Sequence, residues 1–335
     1  MKKLDNLIES FFENIDAIPC SAYDIEKDFE VENVRKNSCL VEIKNNSPIF
    51  NCPNSEKHSR FSDLKYLIET FCKNNKTKDF KFLVALNDVS FSSIPSFATI
   101  RPNNSYKNII PIPMGNQRGI KEKFGVPVKG WDEYIDDALV NTHDDYPWDK
   151  KINKAVFRGR FTRQTFAVGH WGKVRAERWD QVHRGLLYKT CKDNDLFDVG
   201  FNQVFGDLDG EEIPLVTFMP FDHHQKYKYI INVGNSADWA ERLRMQLFAN
   251  SVTVLHQAEC VEWFYPLLKP YVHYIPTNIF FTDLIENIEW CERNEDICQQ
   301  IVKNANNFAK KYINEKTMHY VFEKTLKCFS DKYEK

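Results

Sequence analysis

Between Lys226 and His256, the stretch KYKYIINVGNSADWAERLRMQLFANSVTVLH narrows the choice of fold more than any other part of the chain. Tyr227 to Val233 is a run of aromatic and β-branched residues with the composition of a buried strand. Gly234 then supplies backbone freedom, and Asn235 or Ser236 is suited to cap a helix over Ala237 to Ala249. Val252 to His256 reads as a second strand. A strand, a turn, a helix and a strand make a βαβ unit, which predicts a parallel sheet. Trp239, Leu243 and Leu247 fall four apart and give the helix a buried stripe, while Arg242 and Arg244 lie beside it. Their heads need a polar or anionic destination. A helix N-terminus at the C-terminal edge of a parallel sheet attracts anions, and arginine matches phosphate oxygens bidentately. An ordinary capped surface helix with solvated arginines fits the same residues, and this segment alone does not decide between them. It contains no GxGxxG and no Walker A pattern.

The alternation of strand and helix continues on either side. Lys154 to Phe157 reads as a short strand, followed by GRFTRQT as a turn that Gly159 makes tight. Arg158, Arg160 and Thr162 there offer charge and a hydroxyl, a second candidate anion clamp. A helix is expected over Arg175 to Lys192, a strand over Tyr271 to Ile275, and an almost wholly helical end from Asp283 to about Tyr333. Nearer the start, LKYLIETFCKN reads as a helix and Phe80 to Leu86 as a buried strand. Ser90 to Gly130, punctuated by prolines, reads as irregular, and WDEYIDDALVN as helical. A domain boundary is expected near Tyr146. Two α/β domains follow, for which 335 residues and 42% hydrophobic content suffice.

A formal charge of −2 argues against a general nucleic-acid binder. The start, MKKLDNLIESFFENI, is broken by Asp5, Glu9 and Glu13 and reads as an amphipathic helix rather than a secretory leader. No apolar run is long enough to span a membrane. Nine cysteines without a CxxC pair point to neither a zinc ribbon nor a redox motif. Reduced thiols and a cytoplasmic setting are therefore expected, with high Lys and Asn usage suited to a bacterial or large-DNA-virus genome.

The blocks GWDEY (130–134), YPWDKKINKAVFRGRFT (146–162), KYKYIINVGNSADWAERLRMQLFANS (226–251) and VEWFYPLLKPYVHYIPT (261–277) occur in order. Together, and with Arg242 placed nine residues before Ser251, they resemble glycosyltransferase family 90, the family of protein O-glucosyltransferases and capsule-associated glycosyltransferases. The resemblance implies a GT-B architecture, two Rossmann-like domains facing across a cleft with a helical C-terminus. The domains are expected at 1–145 (acceptor side) and 146–310 (nucleotide-sugar side), with 311–335 packing back on the first. It also implies an inverting transfer of glucose or xylose from a UDP-sugar to an acceptor hydroxyl, with no cofactor and no metal. Arg242 is then expected to neutralise the departing diphosphate. Arg158, Gly159, Thr162, Gly234, Asn235 and Ser236 are expected to line the donor side. In the family the general base is an Asp in a V-x-R-D-Y-P pattern. FLVALNDVSF places Asp88 there, but Asn87 stands in place of the arginine and Val89-Ser90 in place of Tyr-Pro. The same Asp88 also suits an ordinary loop cap.

The acceptor side is thinner. IIPIPMGNQRGIKEKFG (109–125) lacks the tryptophans of protein-glucosylating members, so a glycan or lipid-linked sugar is the better expectation, with Met114, Gly115 and Asn116 as acceptor contacts. Two rival readings remain. Asp207 and Asp209 in GDLDGEE are spaced to hold a divalent ion in a metal-dependent transferase, although a solvated loop explains them as well. A non-catalytic nucleotide-sugar-binding protein is the other, kept open by the altered surroundings of Asp88. His223 and His224 lack a third spaced ligand and read as loop residues.

Overall fold

The computed structural model describes residues 1–13, 15, 21–53, 60–102, 108–114, 130–163, 165–235, 240 and 242–332. The chain forms two compact units. The first comprises Met1–Trp131, Val261–Pro266 and Asn314–Lys335, and the second Asp132–Cys260 and Leu267–Ile313.

In the first unit, helices α1 (Lys2–Ser10), α2 (Ala22–Phe29) and α3 (Glu32–Asn37) precede a hairpin of β1 (Ser38–Lys44) and β2 (Ser47–Asn51). Helix α4 (Arg60–Asn74), β3 (Phe80–Ala85), β4 (Ser96–Ala98), β5 (Ile100–Pro102) and β6 (Ile109–Pro111) follow. The main sheet runs in the order β2-β1-β3-β4-β6. Its β2, β1 and β3 are antiparallel, whereas β3, β4 and β6 are parallel. The two Rossmann-like halves expected from the resemblance are therefore unlike each other: this sheet is mixed, because the short β1–β2 turn can only reverse the chain. Three short strands also organise part of the stretch read as irregular, Ser90 to Gly130.

Cys39 and Cys52 form a disulfide with 4.6 Å between their Cα atoms. The hairpin pairs Leu40 with Asn51, so the two cysteines stand opposite each other one step further out. The expectation of reduced thiols fails for this pair.

The second unit starts in α5 (Trp131–Ala138) and contains β7 (Ile152–Thr162), α6 (His183–Cys191), β8 (Phe197–Phe205), β9 (Tyr227–Asn232), α7 (Leu243–Gln246) and β10 (Val252–His256). Strand β11 (Cys260–Glu262) leads back toward the first unit. Strand β12 (Ile275–Thr277), α8 (Leu284–Arg293) and α9 (Glu295–Tyr312) complete the second, and α10 (Glu315–Lys332) belongs to the first. The sheet order is β12-β10-β9-β7-β8, parallel throughout, as the βαβ pattern predicts. Its core joins Phe157, Phe161, Phe201, Tyr229 and Ile231 of the sheet to Leu187, Leu284, Ile288 and Ile301 of the flanking helices.

Two of the unit boundaries fall at 131/132 and 313/314, against the expected 145/146 and 310/311, and Val261–Pro266 adds a further excursion into the first unit. The 3₁₀ segment Val140–Asp145 is bonded into the second unit, which explains the first difference. His143 Nε2 lies 2.8 Å from the Phe248 carbonyl, and Gln225 Nε2 donates to Thr142 Oγ1 at 2.9 Å. Three local readings also change. Arg158–Thr162 continues strand β7 rather than turning. The helix expected over Arg175 to Lys192 breaks into a 3₁₀ turn, Trp179–Gln181, and α6; Gly185 makes that packing feasible, since a Cβ there would sit 1.9 Å from the Trp179 carbonyl oxygen. The strand expected over Tyr271–Ile275 begins only at Ile275, because Tyr271 has φ +57°.

Candidate functional site

Two arginines converge at the C-terminal ends of the second unit's central strands. Arg184 extends from the first turn of α6 and is 7% exposed. It donates from Nε to the Gly234 carbonyl at 3.0 Å and from Nη1 to the Arg160 carbonyl at 2.6 Å. Arg242 precedes α7 and donates from Nη1 to the Arg158 carbonyl at 2.6 Å. A side-chain clasp fixes α7 to the strand before it: Asn232 Nδ2 donates to Gln246 Oε1 at 2.6 Å, and Gln246 Nε2 to the Ile231 carbonyl at 3.4 Å. Both guanidinium carbons lie over the Phe157 ring, at 5.4 Å for Arg184 and 5.3 Å for Arg242.

Gly159 lies between them. A Cβ at this position would come within 3.3 Å of Arg242 Nη2 and 3.4 Å of Arg184 Nη1. The glycine therefore serves not to turn the chain but to leave space beside two cations. A register shift between Gly159 and Arg160 in the pairing with β8 marks the same spot.

Among the described residues, no carboxylate pairs with Arg184 or Arg242. Burial lowers the Arg184 pKa well below the ordinary arginine value, and repulsion from Arg242 adds to it. Burial also brings Arg242 down to about 10, so it stays cationic at neutral pH. His224, in the 3₁₀ turn Asp222–Lys226, is held at about 4, by burial first and then by the fields of Arg242 and Arg158. Two like charges gathered without a counter-ion are costly, and an anion placed between them relieves that cost.

The expected residues divide sharply. Gly159 and Arg242 meet as described. Arg158 instead bonds to Asp198, with Nη2 2.5 Å from Oδ1 and Nη1 2.5 Å from the Asp198 carbonyl. Tyr227 donates its hydroxyl to the other carboxylate oxygen of Asp198. The Arg158 charge is therefore satisfied within the fold. Thr162 ends β7, where its Oγ1 is 3.5 Å from Asn235 Nδ2, and Gly234 contributes the carbonyl that Arg184 holds. Ser236 lies outside the described residues, as do Gly115 and Asn116. Met114 is wholly buried, so its side chain is core rather than an exposed acceptor contact. The helix expected over Ala237–Ala249 is described only from Leu243 to Gln246, too short a stretch for a helix dipole to be the main attraction. Arg184 is the member that sequence reasoning missed. Its signal is a charged residue in a short helix whose His183, Gly185, Leu187 and Cys191 are all buried.

Asp88 follows β3 in the first unit. Its Oδ1 accepts from Arg60 Nη2 at 2.5 Å, and its side chain is 40% exposed. Among the described residues, no hydrogen bond reaches its Oδ2. Asn87 turns away and donates to Asn37 Oδ1 at 2.5 Å.

The Asp207–Asp209 pair is occupied within its own loop. Arg163 Nη1 is 2.5 Å from Asp209 Oδ1, the Trp179 amide donates to Asp209 Oδ2 at 2.9 Å, and the Asp209 amide donates to Asp207 Oδ1 at 3.1 Å. No cluster of three metal-ligating side chains occurs among the described residues. No described helix is long and apolar enough to cross a membrane.

Comparison with known proteins bears on this arrangement. A family model described as Glycosyl transferase family 90 matches residues 110–334. Protein O-glucosyltransferase 2 of Danio rerio is 29% identical over 197 residues, covering 59% of this chain and 36% of that protein. Uncharacterized protein 035R of Invertebrate iridescent virus 3 is 24% identical over 328 residues, covering 87% of this chain and 28% of that protein. The chain thus spans only about a third of the length of these two relatives. Among solved structures, Anabaena Alr3699/HepE in complex with UDP-glucose aligns with a TM-score of 0.35 and 14% identity, over 52% of this chain and 49% of that one.

Proposed function

The chain belongs to glycosyltransferase family 90, and from that premise we propose that it is an inverting, metal-independent glycosyltransferase of GT-B architecture. It takes glucose or xylose from a UDP-sugar to the hydroxyl of an acceptor: a glycan, a lipid-linked sugar or a protein serine. The names of the O-glucosyltransferase relatives favour glucose. The observation that carries the proposal is the Arg184–Arg242 pair, two buried or half-buried cations without a carboxylate among the described residues, gathered beside the bare Gly159. A diphosphate fills such a site.

The acceptor oxygen attacks the anomeric carbon from the face opposite the diphosphate, and its proton passes to Asp88. The new carbon–oxygen bond forms as the bond from the anomeric carbon to the β-phosphate oxygen breaks, and that electron pair leaves with UDP. Arg242 and Arg184 meet the growing negative charge where it develops, which lowers the barrier more than it tightens ground-state binding. Neutralisation by two arginines removes the need for a divalent ion. The prior engagement of Asp207 and Asp209 by Arg163 and main-chain amides speaks against the metal-dependent rival.

The test is release of free nucleotide from a panel of UDP-, GDP-, ADP- and CMP-sugars, with and without chelator. Chelator-resistant release of UDP from one sugar is expected. Release that needs a divalent ion would overturn metal independence, and release from a sugar on another nucleotide would overturn the choice of donor.

A further inference from the structure

Asp88 stands alone in its loop as a base, without the arginine that neighbours it in the family pattern. The fold restores a guanidinium from elsewhere. Arg60 begins α4, 28 residues before Asp88, and reaches it across the end of β3. Nη1 of the same side chain lies 3.4 Å from the Leu86 carbonyl, two residues before Asp88. The guanidinium thus grips both the carboxylate and the strand end that carries it. Its side chain is 17% exposed, less than half the exposure of its partner, so it is the more fixed member of the pair.

We propose that Arg60 is the positioning residue for the base. The inference rests on the reading of Asp88 as the group that takes the acceptor proton. By holding Oδ1, Arg60 fixes the carboxylate's rotation and leaves Oδ2 directed away from the ion pair. That oxygen lies in a side chain 40% exposed, where an acceptor hydroxyl can reach it. The logic is that of any base oriented by a third group: one atom is held so that the other meets the proton at the right angle. Asn87, in the place of the family's arginine, donates instead to Asn37. Arg60 itself neither touches the donor nor takes a proton. Ile100 supports the same geometry, since its amide donates to the Asp88 carbonyl at 3.2 Å and fixes the backbone beneath the side chain.

The experiment compares the wild-type full chain with Arg60→Gln, Arg60→Lys, Asp88→Asn and the double variant Arg60→Gln/Asp88→Asn. It follows UDP release from UDP-glucose, with UDP affinity and thermal stability measured on each variant. Arg60→Gln is expected to lower kcat roughly tenfold to a hundredfold, the scale of a misplaced catalytic group, with KM for UDP-glucose unchanged. Arg60→Lys, which keeps the charge but loses the fork, is expected to recover part of the rate. In the Asp88→Asn background the Arg60→Gln change is expected to cost nothing further, because its effect passes through the base. If Asp88→Asn lowers turnover but Arg60→Gln matches wild type, the positioning role falls while the base stands. Equal losses from Arg60→Gln in both backgrounds also overturn it, by showing a general structural effect. If Asp88→Asn turns over like wild type, the base assignment falls and takes the positioning role with it. Should Arg60→Gln not fold, Arg60→Lys in the two backgrounds makes the same comparison.

Discussion

Among single residues, Arg184 and Arg158 show how the destination of a charge, not its presence, decides its role. Both lie near the ends of parallel strands, yet Arg158 is closed off by Asp198 while Arg184, among the described residues, meets carbonyls. A carbonyl orients a guanidinium without neutralising it, so the charge remains available to a ligand. The same economy explains Gly159. Alanine there places a methyl 2.9 Å from the Phe157 ring and 3.3 Å from Arg242 Nη2, so the ring and the guanidiniums over it must shift. Gly159→Ala is expected to fold normally and to bind UDP about tenfold more weakly, roughly 1.4 kcal/mol, as measured by calorimetry. Asp88→Asn is expected to leave UDP affinity intact and to reduce kcat by about 10²- to 10⁴-fold, the usual contribution of a general base. Unchanged steady-state turnover would remove Asp88 from the reaction.

Elements carry a different lesson. The β1–β2 hairpin is closed by Cys39–Cys52, a link spanning 13 residues of sequence. Restricting a loop of that size stabilises a fold by about 3 kcal/mol when the native geometry is unstrained. Cys39→Ser/Cys52→Ser is therefore expected to melt at a lower temperature than the wild type, and reductant to lower only the wild type's melting point. Equal melting in all conditions would show the link to be unformed in solution.

Much of the second unit's sheet was legible from the sequence, because Tyr227–Asn232 and Val252–His256 are rich in the aromatic and β-branched residues that a sheet covered on both faces demands. Arg242 was legible because its helix stripe left it no apolar place. What escaped depended on partners distant in sequence. The pairing of Arg158 with Asp198 across 40 residues converted an expected clamp into a brace, and Arg60 reaches Asp88 from a helix that nothing local connects to it. RGRFT looked like a turn because arginine and glycine are common in turns. It is strand because Phe157 and Phe161 alternate with the small Gly159 on the side facing the core. The hairpin was hidden because a cysteine spacing does not disclose strand register.

At the scale of the whole molecule, the chain leaves the first unit at Trp131, rejoins it over Val261–Pro266, and returns again at Asn314 to end in α10. Phe329 of α10 packs against Phe80, Phe82 and Phe97 of the mixed sheet, so the last helix is part of that unit's core. Stability also records a buried charge far from the arginine pair. Lys151, just before β7, is 7% exposed; its Nζ donates to the Gln225 carbonyl and lies 3.3 Å from Ser251 Oγ. Burial lowers its pKa to about 7, from 10.5. Between these values the unfolded chain holds one more proton than the folded chain, so stability rises with pH across that window. Urea unfolding of wild type and Lys151→Met at pH 7, 8.5 and 10 is expected to show the difference shifting in favour of wild type as pH rises. A constant difference would mean that Lys151 holds its proton equally in the folded and unfolded chain, with no lowering of its pKa by burial.

The central claim is that Arg184 and Arg242 form a diphosphate site. Calorimetric titration of the wild-type chain and Arg242→Ala with UDP and with uridine, which lacks phosphate, tests it most directly. The account predicts that UDP binds the wild type at least about 100-fold more tightly than uridine, a difference of roughly 2.7 kcal/mol, and that Arg242→Ala removes most of that advantage. If UDP and uridine bind alike, or if Arg242→Ala binds UDP as the wild type does, the arginine pair does not hold the phosphates.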